Sequence, residues 1–266
     1  MNIASDVSDD SASVARALAK AVASQFHPKM LALLMGPFLL SIVVWAGAVW
    51  LLWGPLTGWI GDTLFSSGWL KTVNQWILEA GLPAPKSWVP ALIALLLIVP
   101  LMFATAVTAI AAFAMPLVIR HLAARDYADI ERKGSLSVSA SLWNSLSSLA
   151  VFAVGYIVTL PLWFIPPLFI VIPLLWWAWL NSRVLRFDSL QEHASDAELK
   201  TLVTLHKGKF RLLGLATASL NYVPPLFIVA PVFGALAFAH FSFQAIRDLR
   251  VRASSQREAN QTRQLH

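Results

Sequence analysis

The sequence predicts an all-α integral membrane protein, built from two transmembrane helices plus two proline-broken helical hairpins, with amphipathic and cytoplasmic helices around them. Three observations lead there. Of the 266 residues 58% are hydrophobic and only 13% charged, against roughly 45–50% and 25% in soluble domains. Four stretches, 30–61, 87–119, 134–182 and 212–246, contain no Asp, Glu, Lys or Arg. A segment headed by paired prolines occurs twice.

Residues 1–23 read as a cytoplasmic N-terminal tail. Asp6, Asp9 and Asp10 come first and no apolar segment follows the basic residues, so a cleavable signal is not expected. A short amphipathic helix ends the tail, with Val14, Leu18, Ala21 and Val22 on one face and Arg16 and Lys20 toward headgroups. A membrane domain over 24–250 and a polar, disordered cytoplasmic tail over 251–266 complete the organisation.

A helix needs about 20 apolar residues to cross roughly 30 Å of hydrocarbon. The first uncharged stretch supplies one such helix, at 31–53, with Trp45, Trp50 and Trp53 as anchors near its outer end. The second, at 1.5 Å per residue, makes about 50 Å of helix. It therefore extends beyond the bilayer or bends at Pro100 and Pro116. Between these helices, 54–86 is rich in Trp, Gly and Pro and reads as an external loop carrying an interfacial amphipathic helix.

The segment Pro166-Pro167-Leu168-Phe169-Ile170-Val171-Ile172-Pro173 returns as Pro224-Pro225-Leu226-Phe227-Ile228-Val229-Ala230-Pro231, identical at seven of eight positions. Paired prolines break a helix because they lack amide donors and push the preceding residue out of the α region. Pro166, Pro167, Pro224 and Pro225 are thus the expected breaks, each followed by a new helix. The arm 210–223 spans about 21 Å, short of a crossing, so at least the second hairpin is expected to turn inside the bilayer. Ordinary hairpins with outside turns are the alternative. Broken backbone at depth is tolerated only inside protein or against water, so buried tips would pack centrally or line a cavity.

Lys and Arg set the orientation. Eighteen of the 20 fall in 1–30, 120–133, 183–211 and 247–266, leaving only Lys71 and Lys86 in the loop assigned outside. Both termini are then cytoplasmic in a multi-pass inner-membrane protein. The net charge of +6 follows from the same bias, and no nucleic-acid partner is needed to explain it.

Little catalytic chemistry is available. There is no cysteine, all 14 carboxylates lie outside the uncharged stretches, and no phosphate-binding Gly-rich loop appears. Proton-coupled pumping, nucleotide drive and catalysis are disfavoured; no cofactor and no metal site are expected. His193 and His206 read as surface residues. His240 is the ionisable residue inside an uncharged stretch, and either lies in a substrate pathway or hydrogen-bonds a neighbouring helix. Asn221 either satisfies backbone freed by the second break or belongs to the pathway. The half-helix starts at Leu168 and Leu226 offer partly positive amides to an anion. Lys29, Lys207, Lys209 and Arg211 either draw anions to the cytoplasmic mouth or bind headgroups.

Two membrane helices followed by two proline-broken hairpins, ending in 223–235 and then His240, resemble the CysZ-like sulfate permease family, also called the etoposide-induced protein family. The resemblance covers roughly 24–247. It implies a bacterial inner-membrane protein with hemi-penetrating helices, assembled as a homo-oligomer in the lipid bilayer and taking up an inorganic anion such as sulfate. The expected function is passive or facilitated sulfate transport. The alternative is a non-transporting membrane scaffold docking through 183–211.

The orientation is testable in this cysteine-free chain. Cysteines at Ser13 and Ser255 should react with impermeant thiol reagents only from the cytoplasmic side, and one at Ser67 only from outside. Periplasmic labelling of Ser255 in intact cells would reverse the assignment.

Overall fold

The computed structural model describes residues 3–66, 68–134 and 138–264. Ser67, the position chosen for outside labelling, lies outside the described residues. Among the described residues nine α-helices run in order: α1 (Ile3–Gln25), α2 (Pro28–Phe65), α3 (Gly68–Glu79), α4 (Pro85–Arg125), α5 (Val138–Thr159), α6 (Leu168–Leu190), α7 (Asp196–Leu205), α8 (Lys207–Ser219) and α9 (Ala230–Gln264). No strand occurs among the described residues. Among the described residues four segments are long and apolar enough to cross a membrane: α2, α4, α5 with the turn after it, and α6. The chain divides into two compact units, residues 34–110 and residues 1–33 with 111–266.

Both long helices outrun the sequence expectation. α2 has 38 residues, about 57 Å at 1.5 Å each, and carries Pro37 and Pro55 inside it. The expected stop after Trp53 does not occur, and Trp59, expected in a loop, sits on the helix. Thr57 Oγ1 donates to Trp53 O (2.7 Å) and Thr63 Oγ1 to Trp59 O (2.7 Å), so side chains bond carbonyls near the Pro55 interruption. α4 extends rather than breaking, and stays helical through Pro100 and Pro116 for 41 residues. Within unit 34–110, α2 and α4 are joined by Ser41 Oγ donating to Met102 O (2.8 Å) and by Phe38 edge-on to Phe103. An ion pair joins Lys86 to Asp62 at 3.0 Å. The expected amphipathic helix of the loop is α3, with no buried residue.

The other unit is organised around α9. From Ala230 to Ile246 this helix is nearly all buried, with Val232, Leu236, Phe238, Phe243 and Ile246 fully so. α1, α6, α7 and α8 pack against it. Its apolar stretch therefore makes a protein core rather than a lipid-facing span. α1 buries Val14, Ala17 and Ala21, while Val22 is 50% exposed. The expected face is kept at Val14 and Ala21 but turns from Val22 toward Ala17, where small side chains let α1 approach α9, and it covers protein instead of headgroups.

The repeated octapeptide makes the same turn twice. Before the prolines the chain is extended, at Ile165 (φ −101°, ψ 109°) and Val223 (φ −115°, ψ 101°). Pro167 and Pro225 then adopt φ −94°, ψ 15° and φ −93°, ψ 16°. Both Pro-Pro bonds are cis. The first turn leads straight into α6, whereas the second passes through a 3-10 turn at Leu226–Ile228 before α9. The chain does not cover the tips itself: Phe164 is 89% exposed, and Ile165, Val223 and Leu226 are also exposed.

A cap of short loops closes the opposite end. Ser195 and Glu198 form a capping box on α7, Ser195 Oγ accepting from the Glu198 amide and Glu198 Oε2 from the Ser195 amide. Arg250 of α9 pairs with the same Glu198 through Nε (2.9 Å) and Nη2 (3.0 Å), and donates to the carbonyls of Glu131 (2.9 Å) and His193 (2.7 Å). One guanidinium thus ties three segments to α9. Gly134 is the close-approach position, since a Cβ there would lie 1.9 Å from Gln191 O. Past Arg250, α9 continues as an exposed helix to Gln264, where the polar composition predicts disorder. Gln, Arg, Ala and Glu in 256–264 are good helix formers and extend a helix already nucleated in the core.

His193, expected at the surface, is fully buried edge-on to Phe243, and neither ring nitrogen has a partner. Burial therefore holds it below the usual histidine value of 6.5. The Arg250 hydrogen bonds, and next the Ser195 amide, hold Glu198 below 4.5. Both folded pKa values are depressed, so each group stabilises the fold above its unfolded pKa and loses that contribution as pH falls through the folded one. The thermal midpoint in detergent should therefore drop as pH falls below about 6.5, with His193 among the buried histidines that contribute first and Glu198 contributing later. His193→Asn should flatten the first part of the profile. A midpoint that rises on acidification would contradict this account.

Candidate anion-binding site

α6 and α8 run antiparallel, held close by small residues. A Cβ on Gly214 would lie 2.4 Å from Ala178 O and 2.9 Å from Ser182 Cβ, so only glycine fits that seam. Asn181 Nδ2 donates to Thr217 Oγ1 across it at 3.4 Å. The same register sets Arg183 and Arg186 of α6 beside Lys207 and Arg211 of α8. These four cations line a cleft of about 530 Å³, together with Trp179, Ser182 and the apolar Leu175, Ala178, Leu212 and Leu215. None of the lining residues is acidic.

The two arginines of α6 are half-buried and braced by rings: Arg183 lies 5.4 Å from the Trp179 ring centroid and Arg186 5.9 Å from that of Phe210. Arg186 also feels the like charges of Arg183 and Arg211. Among the described residues no carboxylate forms an ion pair with any of the four. Gathering cations without counter-charge raises the local potential, and a dianion entering the cleft relieves their repulsion.

Of the residues the sequence puts forward, Arg211 and Lys207 line this cleft, whereas Lys29, Asn221, Leu168, Leu226 and His240 do not. Lys29 sits exposed in the first turn of α2, its amide donating to His27 Nδ1 (3.3 Å). The Leu168 and Leu226 amides are spent within the breaks, donating to Ile165 O (2.7 Å) and Val223 O (2.6 Å). They are not free to meet an anion, because the turn following Pro-Pro closes on them. Asn221 Nδ2 donates to Ala218 O (3.2 Å), satisfying backbone just before the second break.

His240 is 3% exposed; its Nε2 lies 2.9 Å from Ser24 Oγ and its Nδ1 3.1 Å from Tyr127 OH. These bonds join α1 and the chain after α4 to α9. His240 and Lys20 also line two smaller cavities, of about 190 and 380 Å³. Arg183 and Arg186 are the site residues that sequence reasoning passes over. Their signal is spacing: i, i+3 on α6 and i, i+4 on α8 put each cationic pair on one helix face. No group of three His, Cys, Asp or Glu among the described residues could hold a metal ion.

Long apolar helices, two broken hairpins and a carboxylate-free basic cleft define a helical membrane protein suited to binding anions. The chain belongs to the family described as sulfate transporter CysZ/etoposide-induced protein 2.4, whose family model matches residues 17–259. No curated protein and no solved structure matches the chain.

The seam at Gly214 yields a paired prediction. Gly214→Val should destabilise the detergent-solubilised protein by about 1–3 kcal/mol or more, since backbone must move apart. Gly208→Ala on the same helix, where a Cβ meets nothing within 4 Å, should be neutral or stabilise by up to about 1 kcal/mol. Thermal unfolding midpoints read both, and equal effects would contradict the seam.

Proposed function

We propose that the protein mediates facilitated, passive transport of a small inorganic oxyanion, with sulfate the substrate, across the bacterial inner membrane as a homo-oligomer whose subunits have both termini in the cytoplasm. The observation that carries this reading is the cleft between α6 and α8, where Arg183, Arg186, Lys207 and Arg211 meet with no carboxylate among its lining residues. Family membership supports the choice of sulfate.

The energetics agree with a passive route. No Asp, Glu, Lys or Arg falls within the four uncharged stretches, which disfavours coupling anion movement to protons. The cleft holds its anion with exposed or half-buried cations, which screening by salt weakens. Such a site concentrates a dianion without trapping it. Lys29, exposed in the first turn of α2, adds to the attraction. Under this reading His240 anchors α1 to the core, and Leu168 and Leu226 shape the tips that the oligomer covers.

Sulfate flux into proteoliposomes tests the proposal. The parent protein should carry sulfate, and Arg186→Gln or Arg211→Gln should reduce flux roughly tenfold at low ionic strength and less at about 0.15 M salt. Lys29→Gln should reduce it less than either. His240→Gln should change protein stability before it changes the pH dependence of flux. No sulfate flux in the parent, at verified incorporation, would favour a non-transporting scaffold.

A further inference from the structure

The cleft is larger and greasier than a bare tetrahedral oxyanion requires. Its volume of about 530 Å³ would hold more than a dozen waters at roughly 30 Å³ each, whereas sulfate has five heavy atoms. Arg183, Arg186, Lys207 and Arg211 give the cleft its cationic lining, and Leu175, Leu212 and Leu215 give it large apolar side chains farther along the same two helices. That apolar lining does not end at the cleft. Leu175 is 54% exposed, Leu212 42%, and Ile170 and Val171 continue the apolar surface along α6.

The position of the charges in the sequence adds a second, independent constraint. The uncharged stretch of α6 ends at Ser182, immediately before Arg183, and the next begins at Leu212, immediately after Arg211. Both helices therefore switch from apolar to cationic at the level of the cleft. In a bilayer that switch belongs at the headgroup layer, and Trp179, which carries Arg183 over its ring, is the residue type that anchors there.

We infer that the α6–α8 cleft is a binding site for the phosphate of an anionic phospholipid, held by Arg183, Arg186, Lys207 and Arg211, with its acyl chains lying along Leu175 and Leu212. Basic pockets between membrane helices bind lipid headgroups in this way, and arginine presents a fork matched to phosphate. The inference rests on the oxyanion reading of this cleft. It adds that a lipid phosphate and a free oxyanion address the same cations, so membrane lipid competes with the transported anion for the site.

Lipid retention tests this directly. The full chain is reconstituted with equal parts phosphatidylglycerol and phosphatidylcholine, re-extracted in detergent, and its co-purifying lipid measured by mass spectrometry. The parent should retain phosphatidylglycerol several-fold over phosphatidylcholine, and the double variant Arg186→Gln/Arg211→Gln should lose that preference. Arg257→Gln, on the exposed end of α9, should keep it. In lipid-free detergent, phosphatidylglycerol should raise the parent's thermal midpoint more than inorganic phosphate at matched ionic strength.

No headgroup preference in the parent overturns the inference, a result that needs no variant to fold. So does an undiminished preference in the double variant, or an equal midpoint shift from inorganic phosphate alone, which would assign the cleft to a free ion. Transport fails separately: retained lipid with no sulfate flux leaves this site standing, and flux lost in the variants with unchanged lipid retention removes it while sparing transport.

Discussion

The contact between Gly214 and the Ala178 carbonyl governs the functional half of the chain. With a Cβ there only 2.4 Å from that oxygen, the α6–α8 spacing has no room for another residue. The spacing fixes the register, and the register pairs residues far apart in sequence: Arg186 meets the ring of Phe210, and Asn181 meets Thr217. Four cations then converge although they repel. Packing of small residues below them pays that electrostatic cost, which an incoming anion relieves. A wider helix pair would separate the charges and leave an ordinary basic surface.

The second organising element is α9, which serves three roles along its length. Its first turns emerge from the second proline break, its middle fills the core, and its end carries Arg247 and Arg250 to the loops. Arg250 satisfies four acceptors at once and Arg247 forks onto Asp129. The polar bonds of His240 to Ser24 and Tyr127 bind α1 and the 126–134 segment to the same helix. The cleft-bearing α6 and α8 therefore stand on a scaffold locked by directional bonds at one end and by Phe210, Phe238 and Phe241 at its centre.

Composition and local pattern made much of this legible. The uncharged stretches located α2, α4, α5 and α6, and the repeated octapeptide located both breaks, because proline acts through its own ring and needs no distant partner. What the pattern missed depends on partners. The stretch 230–246 is as apolar as a span, and only the presence of α1, α6 and α8 around it shows that it is core. His193 looked like a polar loop residue until the cap closed over it beside Phe243. The face of α1 turned from Leu18 and Val22 to Ala17 because fit against α9 favours small side chains over large ones. Arg183 and Arg186 mark the cytoplasmic side in the sequence pattern, but only the antiparallel register brings them to Lys207 and Arg211. A helix start ordinarily offers free donors, which is why the pattern points an anion to the amides of Leu168 and Leu226; the tight turn at Pro-Pro consumes them instead.

The central claim is that unpaired cations between α6 and α8 hold an oxyanion. Equilibrium binding of radiolabelled sulfate to the purified, delipidated protein tests it most directly, comparing the parent with Arg186→Gln/Arg211→Gln across a series of sodium chloride concentrations. The account predicts saturable binding in the parent that weakens as ionic strength rises and is lost in the double variant. Saturable binding of equal strength in both proteins would contradict it.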